Sequence, residues 1–147
     1  MPNSVRGITL LEMMIVVMLI AIIASILVPK LTESKTSANE TSAIATLKVI
    51  MTAQVQFREG DDDMDSFQDY ADSIAQLSNV GLIDNVIGKG SKSGYLFSLS
   101  GSTYEWQATG TPLNENVGHR SFYIDTTGVV RFALSGTPDA NSAPIGE

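Results

Sequence analysis

An α+β fold, in which a long N-terminal α-helix packs on a small antiparallel sheet of about four strands, is predicted by three features of this 147-residue sequence. Residues 8–28 form an apolar run in which Glu12 is the only ionisable side chain. No glycine or proline separates Pro29 from Gly60, and apolar residues recur between them at helical spacing. Beyond residue 94, short segments alternate large apolar residues with small or polar ones around turn-forming glycines.

The first element is a membrane-spanning helix. Residues 13–28 read MMIVVMLIAIIASILV, without a charge. As a helix, Ile8 to Val28 spans roughly 31 Å, the thickness of the hydrocarbon layer of a bilayer. A cleaved secretory signal would be shorter and would end in a small-x-small site, whereas this run ends in Val28, Pro29 and Lys30. A plain anchor leaves Glu12 unexplained, because a charge costs up to roughly 2.5–3.5 kcal/mol at mid-bilayer. Thr9 and Ser25 lie in the same run, and their hydroxyls can be satisfied on preceding helix carbonyls. Arg6 precedes the run but Lys30 and Lys35 follow it, so the count of positive charges leaves the orientation open.

The stretch Arg6, Gly7, Ile8, Thr9, Leu10, Leu11, Glu12, Met13, Met14, Ile15, Val16, Val17 resembles the N-terminal signature of type IV pilins and their pseudopilin relatives. The resemblance implies a basic leader cut after Gly7 on the cytoplasmic side, N-methylation of the new first residue, Ile8, and a glutamate at the fifth mature position, Glu12. Pro29 falls at the twenty-second mature position, where the family also carries proline. Ile8 stands where relatives usually have phenylalanine, and Ala21 where many have glycine. The resemblance covers residues 6–29 closely. It implies a prepilin peptidase and methyltransferase and an inner-membrane assembly platform as partners, together with a homopolymer in which Glu12, Thr9 and Pro29 serve assembly. It places the chain in the bacterial inner membrane and then in a surface pilus, or in a periplasmic pseudopilus.

The chemistry of that motif is legible in its residues. A glycine before the cut lets a peptidase approach the backbone. Cleavage makes an amine on Ile8, which Glu12 of a neighbouring subunit can meet, and opposite charges attract far more strongly in low dielectric than in water.

The second element is the amphipathic half of the helix, residues 30–60. Ile44, Leu47, Met51 and Val55 mark its apolar stripe, and Gly60 is expected to close it in a left-handed cap. Pro29 removes a backbone hydrogen bond and should kink the helix near the membrane boundary. The 87 residues that follow are few for an independent core without disulfides, so this half-helix should be the spine of a folded part spanning residues 61–134. Ser73 and Gln76 have the spacing of a capping box, predicting a short helix over Ser73–Asn79. Tyr95, Phe97 and Leu99, then Tyr104, Trp106 and Ala108, alternate on either side of Gly101 as a hairpin. Ser121–Asp125 and Val129–Phe132 form a second pair about Thr126, Thr127 and Gly128, completing a four-stranded meander. Lys92–Tyr95 and Arg120–Arg131 resemble segments of short pilin-like chains. Residues 135–147, small and turn-forming, are expected to be a flexible tail that adds little to the core.

Charge and composition narrow the function. Nine Lys and Arg against sixteen Asp and Glu give a net charge of −7, which argues against a nucleic-acid partner. With no cysteine, thiolate metal sites, disulfides and cysteine nucleophiles are excluded. Seven of the acids fall between Glu59 and Asp72. A solvated loop is the plain reading; the alternative is calcium, since Asp61, Asp63, Asp65, Asp69 and Asp72 occupy positions one, three, five, nine and twelve of a calcium-loop pattern, although Ser66 replaces its glycine. His119, the one histidine, reads as a surface loop residue because no nucleophile, base and orienter assemble around it. The aromatic alternation Tyr95, Phe97, Tyr104, Trp106 and Phe122 reads as core rather than as a ligand platform.

These readings describe a structural protein, not an enzyme, with no cofactor apart from the calcium alternative. A filament subunit is the leading expectation. A type II secretion pseudopilin and an uncleaved, membrane-anchored binding protein are the alternatives.

Overall fold

The computed structural model describes residues 7–61 and 67–146, and within it the chain divides into two units, one running to Ser34 and one from Lys35 onward. Helix α1, Leu10–Gly60, contributes to both. In the first unit every described residue from Gly7 onward is exposed, the apolar run included. The helix continues through Pro29. Just beyond it the Thr32 hydroxyl donates to the Val28 carbonyl at 3.2 Å.

In the second unit α1 is the spine against which everything else packs. Its buried positions are Thr36, Glu40, Ala43, Thr46, Leu47, Ile50, Ala53, Gln54 and Phe57. The stripe therefore lies to one side of the expected one: Leu47 is central, Ile44 and Met51 flank the core, and Val55 is 45% exposed. Ala43, Ala53 and Gln54, which carry no strong hydrophobic signal, are buried in it. Gln54 is fully buried because its amide closes a two-way pair with Ala71, donating to the carbonyl and accepting from the N–H, both at 2.9 Å. A buried amide satisfied at both ends avoids the penalty that otherwise excludes it. The helix also ends differently from expectation. Asp61, not Gly60, takes the left-handed conformation, with φ 48°.

Two short helices follow. Helix α2, Ile74–Asn79, starts at Ser73, whose hydroxyl accepts from the Gln76 N–H at 3.4 Å. Helix α3, Asn85–Gly88, is capped by Asp84, which accepts from the Ile87 N–H at 2.7 Å. Ile74, Leu77, Ile83 and Ile87 carry this segment into the core.

The sheet is an antiparallel meander in sequence order: β1, Ser91–Lys92; β2, Tyr95–Gly101; β3, Trp106–Pro112; β4, Ser121–Asp125; β5, Arg131–Ala133; and β6, Ala143–Pro144. The expected four strands are its centre, with a two-residue strand added at each edge. Tyr95, Phe97, Trp106, Ala108, Phe122 and Ile124 face α1 and are buried. Gly110 lies opposite Phe97 in the β2–β3 register, and a Cβ there would sit 3.0 Å from the Phe97 ring, so the glycine makes room for the aromatic. On the outer face Ser98 and Thr109, also register partners, share a hydroxyl hydrogen bond at 2.7 Å. Tyr104 is not a core residue, since it sits in the β2–β3 turn and is 80% exposed.

Residues 135–146 are more than the expected flexible tail. Arg131 pairs with Pro144 and Phe132 with Ala143, and the Ile145 N–H donates to the Val130 carbonyl at 2.9 Å. Asp139 Oδ1 accepts from the Asn141 N–H and the Ser142 hydroxyl, each at 2.9 Å, which holds the turn that brings β6 back onto β5. Local polar turn chemistry, invisible to hydrophobic patterning, orders this segment.

Candidate assembly site

The start of α1 is built by its own side chains. The Thr9 hydroxyl accepts from the Glu12 N–H at 3.2 Å, and Glu12 Oε2 accepts from the Thr9 N–H at 3.5 Å. This is a reciprocal capping box, in which two of the N–H groups left over at a helix start are satisfied. The Thr9 hydroxyl therefore has a defined partner in the Glu12 amide, on the side of the helix that follows it. The Glu12 carboxylate also sits where the helix dipole favours a negative charge. Ser25 behaves as its neighbours in sequence suggest, donating to the Ile22 carbonyl at 2.8 Å.

Gly7 and Ile8 lie just ahead of the helix, outside regular structure. Among the described residues a Cβ added at Gly7 would have nothing within 4 Å, and Ile8 is 67% exposed. Helix α1 contains an eighteen-residue window apolar enough to cross a membrane, and none of that window is buried. Leu10, Met13, Met14, Val17, Met18 and Ala21 line an apolar groove on its surface. Glu12, one turn from the exposed Ile8, is the sole charge in this whole region.

The remaining candidates lie away from this helix start. Asp63 and Asp65 of the calcium pattern lie outside the described residues. Among the described residues no group of three or more metal-ligating side chains comes together. Asp72 lies ahead of α2, and its N–H donates to Gln76 Oε1 at 2.9 Å. The imidazole of His119 is exposed, and its backbone N–H donates to Glu40 Oε1 at 2.9 Å.

That last contact belongs to a polar clamp that hydrophobic patterning could not find. Glu40 on α1 accepts from Arg120 Nε at 2.8 Å and pairs with Arg120 Nη2 at 2.7 Å. Arg120 also lies over the Phe122 and Phe132 rings, 5.6 and 5.3 Å from their centroids. The Tyr95 hydroxyl donates to the Arg120 carbonyl at 2.9 Å, and burial, with the Glu40 charge adding to it, pushes that phenol up to about 12. Asn39 Nδ2 reaches the Val117 carbonyl at 3.0 Å beside the clamp. Together these contacts hold the loop before β4 against α1.

Comparison with known proteins bears on the N-terminus and on the whole chain. Residues 2–28 match the prokaryotic N-terminal methylation motif. The chain is 29% identical to the type IV major pilin protein PilA of Myxococcus xanthus (strain DK1622), in an alignment covering 93% of this chain and 63% of that protein. The chain thus spans less than two thirds of that relative's length. No solved structure matches it. A long apolar N-terminal helix on an antiparallel sheet, opened by a prokaryotic N-terminal methylation motif, gives this chain its likeness to the type IV pilin family.

Proposed function

We propose that this chain is the structural subunit of a type IV pilus-like filament. Prepilin peptidase cuts between Gly7 and Ile8, the amine of Ile8 is methylated, and the subunit waits in the inner membrane on residues 10–28. It then polymerises through that helix, with Glu12 of one subunit paired to the Ile8 amine of the next. The observation that carries this reading is that every residue from 10 to 28 is exposed, in a helical segment whose only charge is Glu12. Such a surface needs lipid at one stage and other subunits at the next. The similarity to a major pilin supports the same reading. A pseudopilin of a type II secretion system is the second reading, favoured by the absence of cysteine, because many pilins staple their C-terminal loop with a disulfide.

Intact mass and N-terminal sequencing of the protein from native envelopes and sheared surface material test the proposal. A chain starting at methylated Ile8 in sheared fibres is expected; the same chain confined to the periplasm would select the secretion reading. A chain retaining residues 1–7 and staying in the membrane would refute both. Glu12→Ala should abolish filament recovery, since removing one partner of a buried ion pair costs about 3–5 kcal/mol.

A further inference from the structure

On the outer face of the sheet, β2, β3 and β4 bring Ser100, Gln107 and Asp125 into one row, because Ser100 pairs with Gln107 and Gln107 with Asp125 in the strand registers. Alternation along each strand sends these side chains away from α1, whereas Trp106, Ala108 and Ile124 beside them belong to the core. A cavity of about 410 Å³ lies over the row. It is also lined by Tyr123 and Trp106, 7% and 4% exposed, by Glu105 and Thr126 from the adjoining turns, and by Ala140 of the C-terminal segment. A concave site of this size with a few convergent polar groups suits a small molecule.

The hydrogen bonds around the cavity show which groups are left for a ligand. Ser102 Oγ donates to the Glu105 carbonyl at 3.0 Å and accepts from the Glu105 N–H at 3.3 Å, which fixes that turn; the Glu105 carboxylate itself has no partner among the described residues. Asp125 Oδ1 accepts from the Thr127 N–H at 2.9 Å and from its hydroxyl at 2.5 Å. The Tyr123 hydroxyl donates to Gln107 Oε1 at 3.4 Å, so the Gln107 amide keeps its N–H donors. Two carboxylates line the cavity and no lysine or arginine does. Burial first, then the Asp125 carboxylate and the Asp139 charge, push the Tyr123 phenol above the usual tyrosine range, while Arg131 acts more weakly the other way. Arg131 Nη1 is engaged by the Ser142 carbonyl at 3.0 Å. A cleft lined by one sign of charge with low-dielectric walls focuses that field and concentrates counter-ions.

We infer that this cavity binds a small organic cation, a protonated primary amine whose carbon body carries hydroxyl groups. The ammonium meets Glu105 and Asp125, in the charge-assisted hydrogen bonds that are the stronger kind. The hydroxyls meet the Gln107 amide and the hydroxyls of Ser100 and Thr126. A bare calcium ion fits less well, since it takes six to eight oxygens at about 2.3–2.6 Å, and among the described residues no three metal-ligating side chains converge. A neutral sugar fits less well too, because Tyr123 and Trp106 are too buried to offer a ring face for stacking. Every lining residue belongs to the second unit, so the site does not depend on the filament reading.

Detergent-solubilised full-length protein is titrated at neutral pH with 1-amino-1-deoxysorbitol, whose amine is charged there, with sorbitol and with butylamine. Trp106, the sole tryptophan and a lining residue, reports binding by fluorescence, and saturation-transfer NMR of each probe is the second readout. The amino polyol should bind saturably and at least about tenfold more tightly than sorbitol, with butylamine weaker than the amino polyol. Glu105→Gln and Asp125→Asn should each weaken it at least about threefold without lowering the melting midpoint. Glu105 has no partner to lose, and asparagine keeps the oxygen that Thr127 bonds. Added salt should weaken binding in the same direction. Equal binding of the amino polyol and sorbitol, or indifference to both variants, overturns the cation site. Butylamine binding as tightly as the amino polyol overturns the hydroxyl-bearing class. Calcium chloride that displaces the amino polyol, with both carboxylates required, overturns the reading in favour of a metal site. No saturable binding of any probe by either readout overturns it outright.

Discussion

Arg120→Ala probes the clamp between α1 and the loop before β4. Glu40 retains about 7% of its side-chain exposure and Arg120 about 35%, so the pair stands between the buried and surface limits. Breaking a fully buried pair costs about 3–5 kcal/mol, and an exposed pair contributes about 0–1 kcal/mol. The substitution leaves Glu40 with the His119 N–H as its remaining partner here, and removes the guanidinium from two aromatic faces, each worth about 0.5–1 kcal/mol at a partly exposed site. A loss of about 3 kcal/mol follows. At about 3–5 °C per kcal/mol for a unit of this size, the melting midpoint should fall by roughly 10 °C or more. Trp106, the sole tryptophan and 4% exposed, reports the transition by fluorescence in detergent-solubilised full-length protein. The Glu40→Ala/Arg120→Ala double variant isolates the coupling, which should exceed about 1 kcal/mol. Single-variant losses below about 0.5 kcal/mol, or strictly additive losses, would refute the clamp as a source of stability.

Three further perturbations use the same readout. Gln54→Leu should cost about 2–4 kcal/mol, because the Ala71 N–H and carbonyl lose their side-chain partner in a buried position; an unchanged midpoint would contradict that accounting. Gly101→Ala should destabilise by about 1–3 kcal/mol, since its Cβ would run into the backbone carbonyl of Ala71; a neutral result would mean the loop yields freely. Alkaline pH should unfold the protein partly through Tyr95. Below pH 10 the phenol is neutral whether folded or unfolded, and its contribution is complete. Between pH 10 and about 12 the unfolded tyrosine ionises while the buried one does not, so stability falls as pH rises, and Tyr95→Phe should flatten that part of the profile measured from pH 9 to 11.5.

Elements that depend on contiguous residues were legible before any coordinates. The apolar run, the turn from Asp125 to Gly128 and the strand Ser121–Asp125 all appear where alternation and turn residues put them; the Gly128 N–H donates to the Asp125 carbonyl at 2.9 Å, with Gly128 at φ 73°. Edge strands of two residues were illegible, because so short a segment has no period. The α1 stripe was displaced because hydrophobicity scales reward Val55 and penalise Gln54, whereas packing rewards a small or fully hydrogen-bonded side chain close to the sheet. At the start of α1 Glu12 is visible in the sequence as an isolated charge, but the Thr9 cap is not, because hydroxyls inside helices ordinarily bond backward and this one stands at the start.

The sequence by itself determined the apolar N-terminal helix, its methylation motif and the meander of the four central strands, since each is written in the spacing of near neighbours. Only the tertiary structure decided which face of α1 is buried, how β6 closes the sheet, and that Glu40 meets Arg120. Those two residues are separated by 80 positions. Their attraction is realised only after α1 and the sheet have packed, because the lower dielectric there strengthens the attraction and makes losing one partner costly.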